Sequence, residues 1–567
     1  MVGHLNCRHL TASDLAVANG TASKPKIWDP LLEVLWQRGA VHEKNYVDHL
    51  AKEGLKVIKI DGIDITPEAV EQTKQAMISG AQVIVQGALA NGRWHGRADI
   101  LKRVETPSQL GKWSYEVVDT KLARETKGGT VLQLCLYSEL VAAIQGTAPE
   151  FMYVVSPWSD FKPQQYRFHD YAAYFRHVKE SLEQMLDQTG KASTYPEPKD
   201  HCDICRWTLE CDKRRRADDH LCLVAGISKV QINELKRHSV ETVKTLAKLP
   251  VPIKWKPERG STHSYTRVRQ QARIQVEARE TGIMKYEILQ VEAGFGFNCL
   301  PEPSKGDIFF DIEGDPFAGE SGMEFLFGYE YAGAKGKHVY TGDWALTFTE
   351  EKRMFETFVD FVMKRLKQFP DLHIYHYAAY EPGALKRLMG RYATREEEID
   401  QMLRGGLFVD LYGIVKHSIR ASVESYSIKK LEPFYKYERK VELRKAGAAL
   451  AMLQTRLELN DLPGITEENK AIVQEYNHDD CSSAFYLREW LEALRTACIA
   501  KGEVITRPIL GSGEAAESIS EWLVRINALV EVLTRGVPVD PADRTKEQHS
   551  RWVLANILDW HRREQKA

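Results

Sequence analysis

A chain of 567 residues exceeds what one hydrophobic core supports, and length predicts roughly two to four domains. With 43% hydrophobic and 28% charged residues the composition is that of a globular protein, and no apolar run reaches the ~20 residues of a membrane span. Lysine plus arginine (77) nearly balances aspartate plus glutamate (79), so the net charge of −2 confines any nucleic-acid surface to a local patch.

The opening MVGHLNCRHLTASDL lacks the apolar core of a signal peptide, which makes the cytoplasm the expected location. There the nine cysteines stay reduced, and a clustered set reads as metal-binding rather than disulfide-bonded. Residues 28–56 have helical periodicity and carry His42. Strand patterns follow in VIVQGAL, WHGRADILKRV and WSYEVVDTKLA, then a helix at TVLQLCLYSELVAAIQG with Gln133 and Tyr137 one turn apart. A first unit over 1–217 ends in the basic string KRRR. Residues 220–248 read as two short helices joined by a turn, and LPVPIKWKPERGSTHS as a linker, within a connector of 218–300. A second α/β region over 301–500 opens with the acid-bearing strand DIFFDIEGD and holds a long helix at NKAIVQEYNHDDCSSAFYLREWLEALR. A helical tail over 501–567 ends in a basic amphipathic segment. The expected fold class is thus multi-domain α/β.

Two groups of residues have the chemistry of phosphodiester hydrolysis. Asp99, after a glycine-containing turn, and Asp119 come from neighbouring strands, and strand alternation puts Lys121 on the side of Asp119. The carboxylates can hold Mg²⁺ or Mn²⁺, His42 can add a nitrogen, and the lysine offers a positive donor to a phosphate oxyanion. Further along, Asp311-x-Glu313, Glu381 and Tyr476-x3-Asp480 place four acids and a tyrosine on three elements. Such a set can hold two divalent ions, with the tyrosine positioning water. A third feature is Cys202-x2-Cys205-x5-Cys211, one thiolate short of a closed site; zinc fits this spacing, and Cys222 is a local fourth ligand to weigh against a distant one.

RGAVHEKNY, GRADIL, YEVVDTKLAR and LQLCLYS, in this order, resemble the PD-(D/E)xK core of RecB-like nucleases. The resemblance implies that His42, Asp99 and Asp119 ligate metal, that Lys121 assists catalysis, and that Gln133 and Tyr137 support substrate or lysine. Glutamate is usual where Asp119 stands, and Glu116 is a supporting acid to consider. The iron–sulfur members of this branch take one cysteine from before the core, which implies a [4Fe–4S] cluster on Cys7, Cys202, Cys205 and Cys211, with zinc as the alternative. Such a cluster would staple a loop of roughly 200 residues. Residues ~301–495 resemble a ribonuclease H-like DEDD exonuclease of the YprB type, implying a site of Asp311, Glu313, Glu381 and Asp480 with Tyr476. Here Glu381 replaces the usual aspartate, Asp479 competes with Asp480, and Asp410 is secondary. VAGISKVQINELKRHSVETVKTLAKL resembles a helix-hairpin-helix module, in which Lys229, Lys236 and Arg237 could meet a phosphate backbone.

The order of modules resembles predicted RecB-family nucleases that often continue into a helicase. No G-x4-GK[ST] loop occurs, so either a partner supplies a motor or the sequence is a nuclease-only form. The expected activity is metal-dependent cleavage of DNA, exonucleolytic on single-stranded or end-bearing substrates, in repair or defence. RNA as substrate and a non-catalytic platform that recruits a helicase are the alternatives, and no membrane partner is expected.

Overall fold

The computed structural model describes every residue except 27–29, 124, 188–193, 320, 334–335, 512, 514–516, 539–542, 559 and 561–567. The chain divides into two compact units, Met1–Asp218 and Asp219–Ala567.

The first unit is built on a six-stranded sheet whose spatial order follows the chain: β1 (Val57–Lys59), β2 (Val83–Asn91), β3 (Trp94–Val104), β4 (Ser114–Thr120), β5 (Phe151–Val155) and β6 (Gln164–Arg167). β2, β3 and β4 form an antiparallel meander, whereas β4 and β5 run parallel. A parallel pair needs a long crossover. The apolar helix Gly128–Gln145 supplies it and buries Val131, Leu134, Tyr137 and Val141 against the sheet. On the other face, Tyr46 and Leu50 of the helix Pro30–Lys52 pack on Val85, Ile100 and Val118.

Strict alternation fails at one place, and that place holds Asp99. Ala98 and Leu101 belong to one core and Ile100 to the other, so an odd spacing shares a face. The β2–β3 register passes from Val85↔Ile100 to Gly87↔Ala98, and the skipped residue Gln86 has φ +56°. A non-glycine residue in that region is strained and tends to sit near function.

In the second unit, the helices Lys229–Arg237 and Val243–Ala247 share a core with the helix Thr262–Thr281. That third helix starts where the sequence reads as linker. Its periodicity is masked because Gln271 and Gln275 occupy buried positions and spend their amides on the carbonyls of Ala421 and Leu223. A two-stranded ribbon pairs β7 (Tyr286–Ile288) with β13 (Ile419–Ala421). The main sheet has β8 (Ile308–Asp315), β9 (Met323–Ala332), β10 (His338–Trp344), β11 (Ile374–His376) and β12 (Phe408–Asp410), ordered β10-β9-β8-β11-β12. Its β10, β9 and β8 are antiparallel; β8, β11 and β12 are parallel. Along β8, Ile308, Phe310 and Ile312 enter one core. Phe309 enters the opposite core, which the helix Glu467–Ala500 helps to close, and alternation puts Asp311 and Glu313 on that side. The tail contains the helices Glu517–Thr534 and Lys546–Ile557, and the basic end expected beyond 560 lies outside the described residues. Among the described residues no helix is long and apolar enough to cross a membrane.

Candidate active sites and the cysteine cluster

In the first unit the structure brings Asp99, Asp119 and Lys121 together. Asp119 is fully buried near the end of β4, and Lys121 Nζ lies 2.8 Å from its Oδ2. No N–H or hydroxyl donor reaches Asp119 Oδ1 among the described residues. Asp99 lies within hydrogen-bonding reach of Asp119, and its own Oδ2 accepts from Thr120 N–H at 2.9 Å and Thr120 Oγ1 at 3.0 Å. Burial first, and the Asp99 charge second, push Asp119 up to about 8 despite the lysine. An orphaned carboxylate oxygen, a second acid and a cation beside them fit a divalent ion. Lys121 itself sits just beyond β4, fixed by donating its N–H to Val155 O at 3.1 Å.

The helix Gly128–Gln145 lays Tyr137 over β3 at Gly96, where a Cβ would come within 2.5 Å of the ring. Gly96 therefore lies inside the strand, not in a turn, and it makes room for the tyrosine. Gln133 Nε2 donates to Tyr137 Oη at 3.0 Å, and the charges of Asp119, Asp99 and Lys121 all act on this hydroxyl. His42 is buried, with Nε2 2.9 Å from Val155 O, the carbonyl that also fixes Lys121. Its neighbour Glu43 was missed by sequence reasoning. Glu43 accepts from Gln86 Nε2 at 2.7 Å, and burial, then the Asp99 charge, raise its pKa against the pull of that hydrogen bond. The E after H in RGAVHEKNY was the available signal. Glu116, by contrast, is consumed structurally: it accepts from Phe151 N–H at 3.0 Å and Tyr153 Oη at 2.8 Å.

Cys7, Cys202, Cys205 and Cys211 line one small cavity, although almost two hundred residues separate the first from the rest. Lys199 Nζ donates to Asn6 O at 3.1 Å and Trp207 Nε1 to Asp14 at 3.2 Å, so the two ends of the unit are clasped around the thiols. Burial raises Cys211 to about 11, and the buried Arg215 beside it pulls the other way, toward thiolate. Cys222 packs instead in the core of the connector helices.

In the second unit Asp311, Glu313 and Asp480 offer oxygens that all lie within 4.8 Å of one another, the one such three-ligand group among the described residues. Burial, then the charge of Asp480, holds Asp311 well above the usual carboxylate range and Glu313 at about 8. Asp311 faces Gly328 across the β8–β9 register, and the missing side chain admits Asn477, whose Oδ1 would lie 1.5 Å from a Cβ there. Asn477 Nδ2 donates to Asp311 Oδ2 at 2.7 Å. Glu381 stands in the first turn of the helix Tyr380–Tyr392, its Oε2 3.4 Å from His376 Nδ1, outside the three-ligand group though close enough to bear on Asp311 and Glu313 electrostatically.

Tyr476 and Asp480 share a face of the helix Glu467–Ala500. Asp479 turns away and accepts from Tyr437 Oη at 2.8 Å and Lys440 N–H at 3.0 Å. Asp410 caps the helix Leu411–Ser418 and accepts from Ala378 N–H at 2.9 Å. Two cations went unread in the sequence. Arg439 bridges Glu432 at 2.6 Å and Asp480 Oδ1 at 2.5 Å, while Lys429 lies 3.6 Å from Asp480 Oδ2 and 2.5 Å from Tyr476 Oη. Lysines and arginines between helices are common, so nothing local set these two apart.

The connector cations are scattered in role. Lys229 is exposed, Lys236 lies 3.0 Å from His220 Nε2, and Arg237 pairs with Glu258 at 2.6 Å.

Family comparison finds a match over each of the two regions that hold these acids. Residues 9–212 match the PD-(D/E)XK nuclease superfamily and residues 308–492 match the RNase H superfamily. No curated protein matches the chain.

Proposed function

We propose that this chain, which joins a PD-(D/E)XK nuclease superfamily domain to an RNase H superfamily domain, is a metal-dependent DNA nuclease that trims single-stranded or end-bearing substrates. The observation that carries the reading is the convergence of Asp99, Asp119 and Lys121 under Tyr137 at the break in β-alternation.

Asp99 and Asp119 would hold the ion, with Glu43 close enough to bear on Asp99 and His42 set beside Lys121 by the Val155 carbonyl they share. When bound, Mg²⁺ or Mn²⁺ lowers the pKa of water and offsets charge on the phosphate. Lys121 supplies a positive donor to the oxyanion as charge develops there, and the Gln133–Tyr137 pair fixes the pocket wall above it. The second site adds its own acid group, so one chain would carry two cutting centres. The four thiols would hold a [4Fe–4S] cluster that staples the first unit and takes no part in cleavage. Support comes from their shared cavity and from the match of this unit to the PD-(D/E)XK nuclease superfamily.

The test is direct: purified protein with Mn²⁺ and end-labelled single- and double-stranded DNA and RNA. DNA cleavage that EDTA abolishes is the expected result. Cleavage of RNA alone, or binding without cleavage, contradicts the proposal.

A further inference from the structure

Two acids of the second unit's site are already engaged by fixed donors. Two ions about 4 Å apart need carboxylates that can bridge them. Asp311 and Asp480 each have one oxygen already committed, which leaves one free oxygen on each to converge with Glu313 on a single point. Asn477 Nδ2 holds Asp311 Oδ2 at 2.7 Å, and Arg439 holds Asp480 Oδ1 at 2.5 Å. These donors are themselves fixed: Asn477 is fully buried and accepts from Tyr340 Oη at 2.9 Å, and Arg439 is locked to the buried Glu432. Glu381, the fourth acid, stands beside His376 rather than in the converging group.

Beside these acids stands a lysine. Lys429, in the first turn of the helix Ile428–Tyr435, lies 3.6 Å from Asp480 Oδ2, with Nζ 4.7 Å from the centre of the Tyr476 ring and 2.5 Å from its hydroxyl. Its charge reaches Asp311 and Glu313 as well. A lysine ammonium is a compact point charge that pairs with phosphate oxygens.

We propose that this site takes a single divalent ion, on Asp311, Glu313 and Asp480, and that Lys429 is a resident cation supplying the positive charge a second ion would bring. The assignment rests on the reading of this pocket as a metal site. Lys429 also holds the Tyr476 hydroxyl, so it ties the charge to the group best placed to orient water.

Counting ions tests it without relying on activity. The full-length chain bearing Asp119→Asn, which disables the first site, is titrated with Mn²⁺ and free ion is followed by electron paramagnetic resonance. The proposal expects one bound Mn²⁺ in this parent, two after adding Lys429→Met, and one after adding Lys429→Arg. Two ions in the parent overturn it, as does one ion in both the parent and the Lys429→Met chain. No ion in any of the three overturns the metal reading of the pocket, and the lysine assignment with it.

Discussion

Asp119 shows why burial and function are linked here. A fully buried carboxylate with one oxygen lacking an N–H or hydroxyl donor is costly, and the fold lessens the cost by keeping it protonated to about pH 8 in the absence of metal. The sign follows. The unfolded chain releases this proton near the ordinary aspartate value, about 4, and the folded chain only near 8. The folded state therefore binds more protons between those values, and stability falls as pH rises through them. Glu313 adds to the same trend. In EDTA the Tm of the chain should decline from about pH 5 to pH 8, and saturating Mn²⁺ should flatten the decline. A Tm in EDTA that rises over this range would contradict the assignment. Lys121→Ala should lower the main DNA cleavage rate on the order of a hundredfold or more, with the fold retained, as gel-based rates and circular dichroism would report.

At the scale of elements, glycines and helix faces position the chemistry. Gly328 is needed because Asn477 reaches Asp311 through the space its side chain would fill. Gly328→Ala should displace Asn477 and abolish the activity of the second site while leaving Lys121-dependent cleavage in place, which paired assays on the two substrates' products would separate. Much of this architecture is legible in sequence: the Asp119 and D-x-E strands and the Tyr476-x3-Asp480 face lie where periodicity puts them, with Lys121 just past its strand's end. Three things were not legible. The helix Thr262–Thr281 hides behind buried glutamines. The break at Gln86 puts Ala98 out of phase with Ile100, and alternation rules cannot foresee a break; Asp99 stands opposite Asp119 by continuation of the plain β3–β4 register. Glu381 reads as the end of a strand but belongs to a helix, because β11 stops at His376 and the chain turns through Ala378 at φ +75°.

Across the whole molecule, two nuclease-superfamily domains share one chain, and the first is clasped by residues from its two ends. Cys7→Ser should cost iron, brown colour and several degrees of Tm in anaerobically purified protein, while Cys222→Ser should leave metal content unchanged. Stoichiometric zinc without iron would keep the clasp and reject the cluster. The two acid sites belong to separate compact units, so their activities should be separable. The central claim is that the Asp99–Asp119–Lys121 site makes the principal cut, and the deciding measurement compares the parent chain, Lys121→Ala, Asp311→Ala and the double variant on end-labelled DNA with Mn²⁺. The account predicts that Lys121→Ala abolishes the main cleavage, that Asp311→Ala removes only a separate trimming of ends, and that the double variant is inert. Full cleavage by Lys121→Ala together with silence of Asp311→Ala would contradict it.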